Sequence, residues 1–141
     1  MNHFKFEDIK IGDEVEFSYE ITEDKMNKFR DITGDINCLH NDAEYANKKG
    51  YPERVVYGML TSSFLSTLAG VYMPGEYSLI HSVEINYIKP VFLSSSPLKI
   101  KAKVIEKEER FKQIELKYYI TDKEDKKVCR GNMKIGFIKE E

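Results

Sequence analysis

The sequence predicts an α+β fold in which one antiparallel sheet packs against a single long apolar helix. The chain has 141 residues, enough for one domain over residues 1–141 and too few for a second of ordinary size. Residues 58–72 carry no charged side chain, although 33% of the whole chain is charged, so this segment is predicted to be a buried helix. The segments after it alternate apolar and polar residues, which indicates strands covered on one face only.

The elements before the apolar helix are shorter. Residues 14–21 alternate apolar and acidic or polar side chains and are predicted to form a half-buried strand. Thr22 can cap a helix over residues 23–32, whose first turn is acidic. Residues 34–41 hold many turn-forming residues and are predicted to be a loop, and a short helix is expected over residues 42–49.

The apolar helix and the strands after it form the predicted core. Leu60, Phe64, Leu68 and Val71 recur at helical spacing and should face the sheet. The predicted strands cover residues 78–88, 98–106, 113–121 and 129–137. An open antiparallel sheet ends in an exposed edge strand, which predicts pairing with a second copy of the chain.

Composition excludes several classes of partner. The 22 basic and 24 acidic residues give a net charge of −2, so no basic surface of a nucleic-acid-binding protein is expected. No apolar run approaches the roughly 20 residues that span a membrane, and the first residues do not resemble a signal peptide. The two cysteines, Cys38 and Cys129, form neither a disulfide framework nor a metal motif. We therefore expect a cytoplasmic protein without membrane or nucleic-acid partners.

One segment carries chemistry-bearing residues at a specific spacing: Thr-Gly-Asp-Ile-Asn-Cys-Leu-His, residues 33–40, with a small residue, Ala46, six positions later. It resembles the signature of the MaoC-like dehydratase family, the (R)-specific enoyl-CoA hydratases of hotdog fold. That signature is Gly-Asp-x-Asn-Pro-(aliphatic)-His, and one position differs. The resemblance extends to the opening Phe-Glu-Asp-Ile-Lys-Ile-Gly-Asp, residues 6–13, and to the Lys-Pro-Val turn, residues 89–91. It implies a hotdog fold, in which a curved sheet wraps around the central helix.

The resemblance also implies a reaction and its residues. Asp35 and His40 would be the acid–base pair that adds water to a trans-2-enoyl thioester, and the sequence does not tell which of them is the base. The N–H of Gly58, at the start of the apolar helix, would hold the enolate oxygen in an oxyanion hole. Alignment with the family assigns Ser66 a hydrogen bond to the aspartate, and Asn37 would brace the loop.

Each assignment has a simpler structural interpretation. Asp35 follows a glycine and could be an ordinary turn residue, and His40 could be a hydrogen-bonded loop histidine. Gly58 could simply be the first residue of a helix, with no catalytic role. Ser66 could simply be a small residue that allows close packing against the sheet. The combined spacing of the motif and its place before the apolar helix favour the functional interpretation.

Two departures from the family pattern stand beside these residues. Cys38 replaces the proline of the signature, so the loop lacks the fixed φ angle that a proline ring imposes. Tyr57 replaces the histidine that commonly precedes the Gly-Met-Leu run. We expect the second change to affect the pocket entrance or the substrate rather than proton transfer.

The predicted function is therefore hydration of a trans-2-enoyl-CoA, or dehydration of the (R)-3-hydroxyacyl-CoA, by a homodimer or higher homo-oligomer. Coenzyme A or an acyl carrier would present the substrate, and no metal or other cofactor is expected. Two alternatives remain open: a hotdog acyl-CoA thioesterase, and a non-catalytic module that binds an acyl thioester. Fold alone does not separate the three functions.

Overall fold

The computed structural model describes residues 1–139 of the chain. Its centre is one sheet of five antiparallel strands in the order β1-β3-β4-β5-β2. The strands are β1 (Glu14–Tyr19), β2 (Ser78–Tyr87), β3 (Leu98–Glu108), β4 (Gln113–Thr121) and β5 (Lys127–Phe137). All five lie within two residues of the predicted bounds.

Alternation along β3 and β4 places one apolar row against the core. Ile100 pairs with Ile120 across the two strands, and both side chains are fully buried. The neighbouring positions, such as Lys101 and Lys117, point to the outer face and are exposed. The sheet is therefore covered on one face here, as its sequence pattern predicts.

Helical elements occupy the covered face and the loops around it. Helix α1 begins where the Thr22 hydroxyl accepts a hydrogen bond from the Lys25 N–H, and it ends at Gly34, whose φ is 74°. The α-helices are α1 (Glu23–Thr33), α2 (Cys38–Asn41), α3 (Ala43–Lys48), α4 (Gly58–Ser63) and α5 (Leu65–Thr67), and a π turn follows at Leu68–Tyr72. Short 3₁₀ helices lie at Phe6–Asp8 and Leu93–Ser95.

The prediction of a loop over residues 34–41 is wrong in its second half. Cys38–Asn41 form one helical turn, α2. The Asn37 side chain accepts a hydrogen bond from the Leu39 N–H at 2.9 Å and so caps this turn. Four residues are too few to show helical spacing, which is why the sequence pattern did not reveal the turn.

The central helical segment, residues 58–72, is helical as predicted but is not one regular α-helix. The Ser63 hydroxyl donates to the Leu60 carbonyl at 2.7 Å, a local bond that competes with the backbone ladder. The segment is interrupted at Phe64 and ends in the π turn. Because these irregularities shift the helical phase, Val71 is 36% exposed instead of facing the sheet.

In the part of the chain that the structure describes, the sheet ends in two edge strands, β1 and β2, and β2 is the edge beside the central segment. The sequence predicts an exposed edge strand without indicating which of the two it is. The apolar residues of β2 are poorly covered: Leu79 is 53% exposed, Val83 46% and Tyr87 47%. Within residues 1–139, no helix combines the length and the apolar character needed to cross a bilayer.

Candidate active site

Asp35 lies in the loop between α1 and α2 and is held by short-range hydrogen bonds. Its Oδ1 accepts from the Asn37 N–H at 3.0 Å, and the Asn37 side chain in turn caps α2. The Asp35 N–H donates to the Thr33 hydroxyl at 3.2 Å. Asn37 thus bonds to Asp35 through its N–H and caps α2 through its side chain, while the Asp35 side chain is exposed.

His40 lies in α2 and is partly buried. Its Nδ1 is 2.7 Å from the carbonyl oxygen of Val55. Because a carbonyl oxygen only accepts, Nδ1 carries the hydrogen in the neutral ring, and Nε2 is left with a free lone pair. The structure thus presents His40 Nε2 as a proton acceptor.

Gly58 is the first residue of α4, so its N–H lies outside the intrahelical hydrogen-bond ladder. The Tyr87 ring of β2 lies beside it: a Cβ at position 58 would be 3.1 Å from Tyr87 Cε1. The Tyr87 hydroxyl is 2.9 Å from the hydroxyl of Ser62, a residue of α4. Glycine therefore allows the start of α4 to approach β2 closely and leaves the backbone accessible.

Asp35, His40 and Gly58 line one cleft of about 280 Å³, although they come from three separate places in the chain. A second cleft, of about 310 Å³, is also lined by His40 and Gly58. We call this second space the inner cleft. Its walls are mainly apolar and include Val55, Val56, Pro90, Val91 and Cys129. His40 and Gly58 line both clefts and Asp35 lines the first, so the predicted acid–base pair and the predicted oxyanion donor lie where two mainly apolar clefts meet.

Ser66 lies outside both clefts. It is exposed on α5, and within residues 1–139 no hydrogen bond joins it to Asp35. The interruption at Phe64 changes the phase of the helix before this position is reached. The predicted Ser66–Asp35 hydrogen bond thus has no support within a single chain.

Tyr57 has a larger part in the site than its sequence position indicated. The residue is 2% exposed, its hydroxyl donates to the Asp35 carbonyl oxygen at 2.6 Å, and its ring centroid is 4.2 Å from that of His40. We expect this residue to affect the pocket entrance or the substrate; it lines the cleft that holds Asp35 and His40, and its side chain also contacts both of them. Its place directly before Gly58 was the only sequence signal.

The two cysteines have opposite environments. Cys129 lines the inner cleft but is 1% exposed, and burial raises the pKa of its thiol to about 12. Cys38 is exposed at the start of α2, and both thiols are free. The thiol in the cleft wall therefore stays protonated at neutral pH and is a poor nucleophile.

Comparison with known families identifies the family of this chain. The sequence profile described as a MaoC like domain matches residues 6–126, most of the chain. The chain belongs to the MaoC-like family. The MaoC-like match covers the Asp35 loop, the central segment and all strands up to the start of β5.

Curated MaoC-like relatives carry names from one reaction class. An (R)-specific enoyl-CoA hydratase of Rhodospirillum rubrum is 29% identical over 86 residues, which are 61% of this chain and 60% of that protein. A 3-hydroxybutyryl-CoA dehydratase of Methylorubrum extorquens is 29% identical over 86 residues, which are 61% of this chain and 55% of that protein. The chain thus matches less than two thirds of the length of these relatives.

Solved structures of the family have the same fold. The (R)-hydratase from A. caviae involved in PHA biosynthesis superimposes with a TM-score of 0.86 at 22% identity, covering 92% of this chain and 98% of that one. An R-hydratase from Pseudomonas aeruginosa gives 0.84 at 24% identity, covering 96% and 86% of the two chains. The predicted hotdog fold is confirmed.

Proposed function

We propose that this protein adds water to a trans-2-enoyl thioester, giving the (R)-3-hydroxyacyl thioester, and catalyses the reverse dehydration. The observation that carries the proposal is the meeting of Asp35, His40 and the Gly58 N–H in one cleft. Membership of the MaoC-like family and the names of its relatives support the same reaction.

The first step uses the free lone pair of His40. A water molecule lies between His40 Nε2 and the Asp35 carboxylate, and Nε2 takes one of its protons. The remaining hydroxide forms a bond to C3 of the acyl group, and the C2–C3 π electrons move toward the thioester oxygen. The Asp35 carboxylate holds the second water hydrogen and stabilises the imidazolium that forms.

The second step returns the proton. The Gly58 N–H donates a hydrogen bond to the enolate oxygen, which carries the developing negative charge. The enolate then re-forms the thioester carbonyl as C2 takes the proton from His40 Nε2. Both side chains regain their starting protonation state, and no step calls for a metal or redox cofactor.

The inner cleft accommodates the acyl chain in this scheme. Its valine walls offer an apolar surface directly behind His40 and Gly58. The thioester end then extends through the cleft lined by Asp35 toward solvent, where coenzyme A or an acyl carrier remains outside.

We also propose that the active protein is a homodimer formed along β2. This strand has an unpaired edge, and its apolar side chains are exposed. Three further exposed apolar residues surround the site: Ile32, Ile36 and Met59. Such patches are typical of surfaces that a partner covers.

The test is an absorbance assay of the conjugated enoyl group with crotonyl-CoA and a longer trans-2-enoyl-CoA. We expect loss of the enoyl signal and an (R)-3-hydroxyacyl product. Asp35→Asn and His40→Gln should each lower the rate by about 10²-fold or more, because each removes one proton-transfer partner. Asp31→Asn and His3→Gln are matched controls, since both residues are exposed and lie outside the two clefts.

Two other results would replace the proposal. Release of free coenzyme A would identify a thioesterase, although the protonated Cys129 is a poor nucleophile for that reaction. Binding of the thioester without turnover, unchanged by Asp35→Asn, would identify a binding module.

A further inference from the structure

We propose that Tyr57 is a positioning residue that fixes both Asp35 and His40. The catalytic consequence of this inference rests on the proposed function, whereas its structural part does not. Tyr57 is buried at the N-terminal end of α4 and contacts both residues through different parts of one side chain.

The hydroxyl of Tyr57 fixes the backbone of the loop. It accepts a hydrogen bond from Asn41 Nδ2 at 3.0 Å and donates to the Asp35 carbonyl at 2.6 Å. The Asn41 amide is itself oriented, because its Oδ1 accepts from Arg30 at 3.1 Å. Asn41 Nδ2 also donates to the Asn37 carbonyl at 2.9 Å. Two carbonyl groups of the loop are thus held by one connected network.

The ring of Tyr57 limits the movement of the His40 imidazole. The two ring centroids are 4.2 Å apart at an interplanar angle of 31°, and the Phe29 ring packs against Tyr57 at 4.9 Å. The hydrogen bond from His40 Nδ1 to Val55 fixes the ring from another direction. His40 Nε2 is therefore directed by two independent contacts.

The hydrogen-bond network surrounds position 38, where the family signature has a proline and this chain has Cys38. Asn37 has φ −55° and ψ 132°, a conformation that suits a residue before proline. Cys38 is the first residue of α2, a position that tolerates proline well. Both observations are compatible with a proline at position 38. In this proposal, the hydrogen bonds of Tyr57 and Asn41 supply the restraint on the loop that a proline ring would supply.

The experiment combines Tyr57→Phe with Cys38→Pro and measures kcat and KM for crotonyl-CoA. Tyr57→Phe keeps the ring and removes the hydroxyl; we expect kcat to fall about tenfold with KM changed less than about twofold. In the Cys38→Pro background the same substitution should lower kcat less than about threefold, because proline restores the restraint. Tyr72→Phe is the matched control, since Tyr72 stacks on Phe17 away from the site.

A second measurement needs no substrate. Amide hydrogen exchange, followed by NMR, reports the bonds that the Asn37 and Leu39 N–H groups make within the loop. We expect both amides to exchange about tenfold faster in Tyr57→Phe and unchanged in Tyr72→Phe. A thermal melt of each variant separates this local effect from global unfolding.

The outcomes separate the two proposals. Wild-type kcat together with wild-type exchange in Tyr57→Phe would overturn the role of Tyr57, as would an equal loss of kcat with and without Cys38→Pro. An inactive wild-type protein whose loop amides still exchange faster in Tyr57→Phe would overturn the proposed reaction and support the positioning role.

Discussion

Individual polar side chains hold the loop around Asp35 through bonds to nearby backbone. Asp35, Asn37 and Asn41 each make a hydrogen bond to a main-chain group within four residues. Such short contacts suit Asn and Asp, whose side chains reach the neighbouring backbone without a long flexible chain. The geometry of the proposed pair therefore depends on residues that take no part in proton transfer.

The two cysteine thiols are expected to differ in their reactivity. At pH 8, Ellman's reagent should modify Cys38 rapidly and Cys129 only after unfolding, because burial raises the pKa of Cys129 to about 12 and blocks access. The count of reacted thiols before and after adding guanidinium measures this. Cys38→Ser should abolish the rapid reaction, and two rapidly reacting thiols in the wild type would contradict the description of the inner cleft.

Among the elements, the contact of β4, β5 and β2 depends on a glycine. The Tyr118 hydroxyl of β4 reaches over Gly131 of β5 and donates to the Glu84 carbonyl of β2 at 2.8 Å. Burial raises the pKa of Tyr118, so the hydroxyl remains protonated and able to donate. This bond ties the edge strand, and with it the Tyr87 wall of the site, to the middle of the sheet.

Gly131→Ala should disrupt this arrangement. A Cβ at position 131 would overlap the Glu84 carbonyl oxygen and lie 2.6 Å from the Tyr118 hydroxyl, so the strands must separate. We expect the free energy of unfolding in urea to fall by about 2 kcal/mol or more. Gly70→Ala is the matched control, because its nearest neighbour, Ser78 Oγ, is 3.9 Å away. Equal effects of both substitutions would show that crowding at Gly131 is relieved elsewhere.

At the scale of the whole molecule, the sheet within residues 1–139 has two unpaired edges, β1 and β2, and the β2 edge lies next to the active-site clefts. Tyr87 and Ile88 continue from this strand into the inner cleft, so a second copy paired here would also cover the site. Dimerisation and activity should therefore be lost together.

Val83→Lys tests this coupling, because it places a charge among the exposed apolar side chains of β2. Light scattering should give the wild type twice the chain mass of 16.5 kDa and the variant a mass near the monomer, with reduced hydratase activity. Ile11→Lys adds the same charge at a residue that is 65% exposed beside the other edge of the sheet, and it should remain dimeric. A monomeric, fully active Val83→Lys protein would disprove the link.

The order and type of most elements were determined by the sequence alone. Period-two alternation along β3 and β4 and the uncharged run at residues 58–72 are local patterns, and each reports directly which face of an element is buried. The motif at residues 33–40 was equally local, so the family and the candidate residues Asp35 and His40 could be predicted.

Other features required the tertiary structure. The central segment is interrupted at Phe64 and ends in a π turn, and Ser66 is exposed and Val71 partly uncovered. The free lone pair of His40 depends on the Val55 carbonyl fifteen residues away, and the restraint on Asp35 depends on Tyr57. These contacts join residues that no sequence period relates, because only the packing of α4 against the loop brings their atoms within hydrogen-bonding distance.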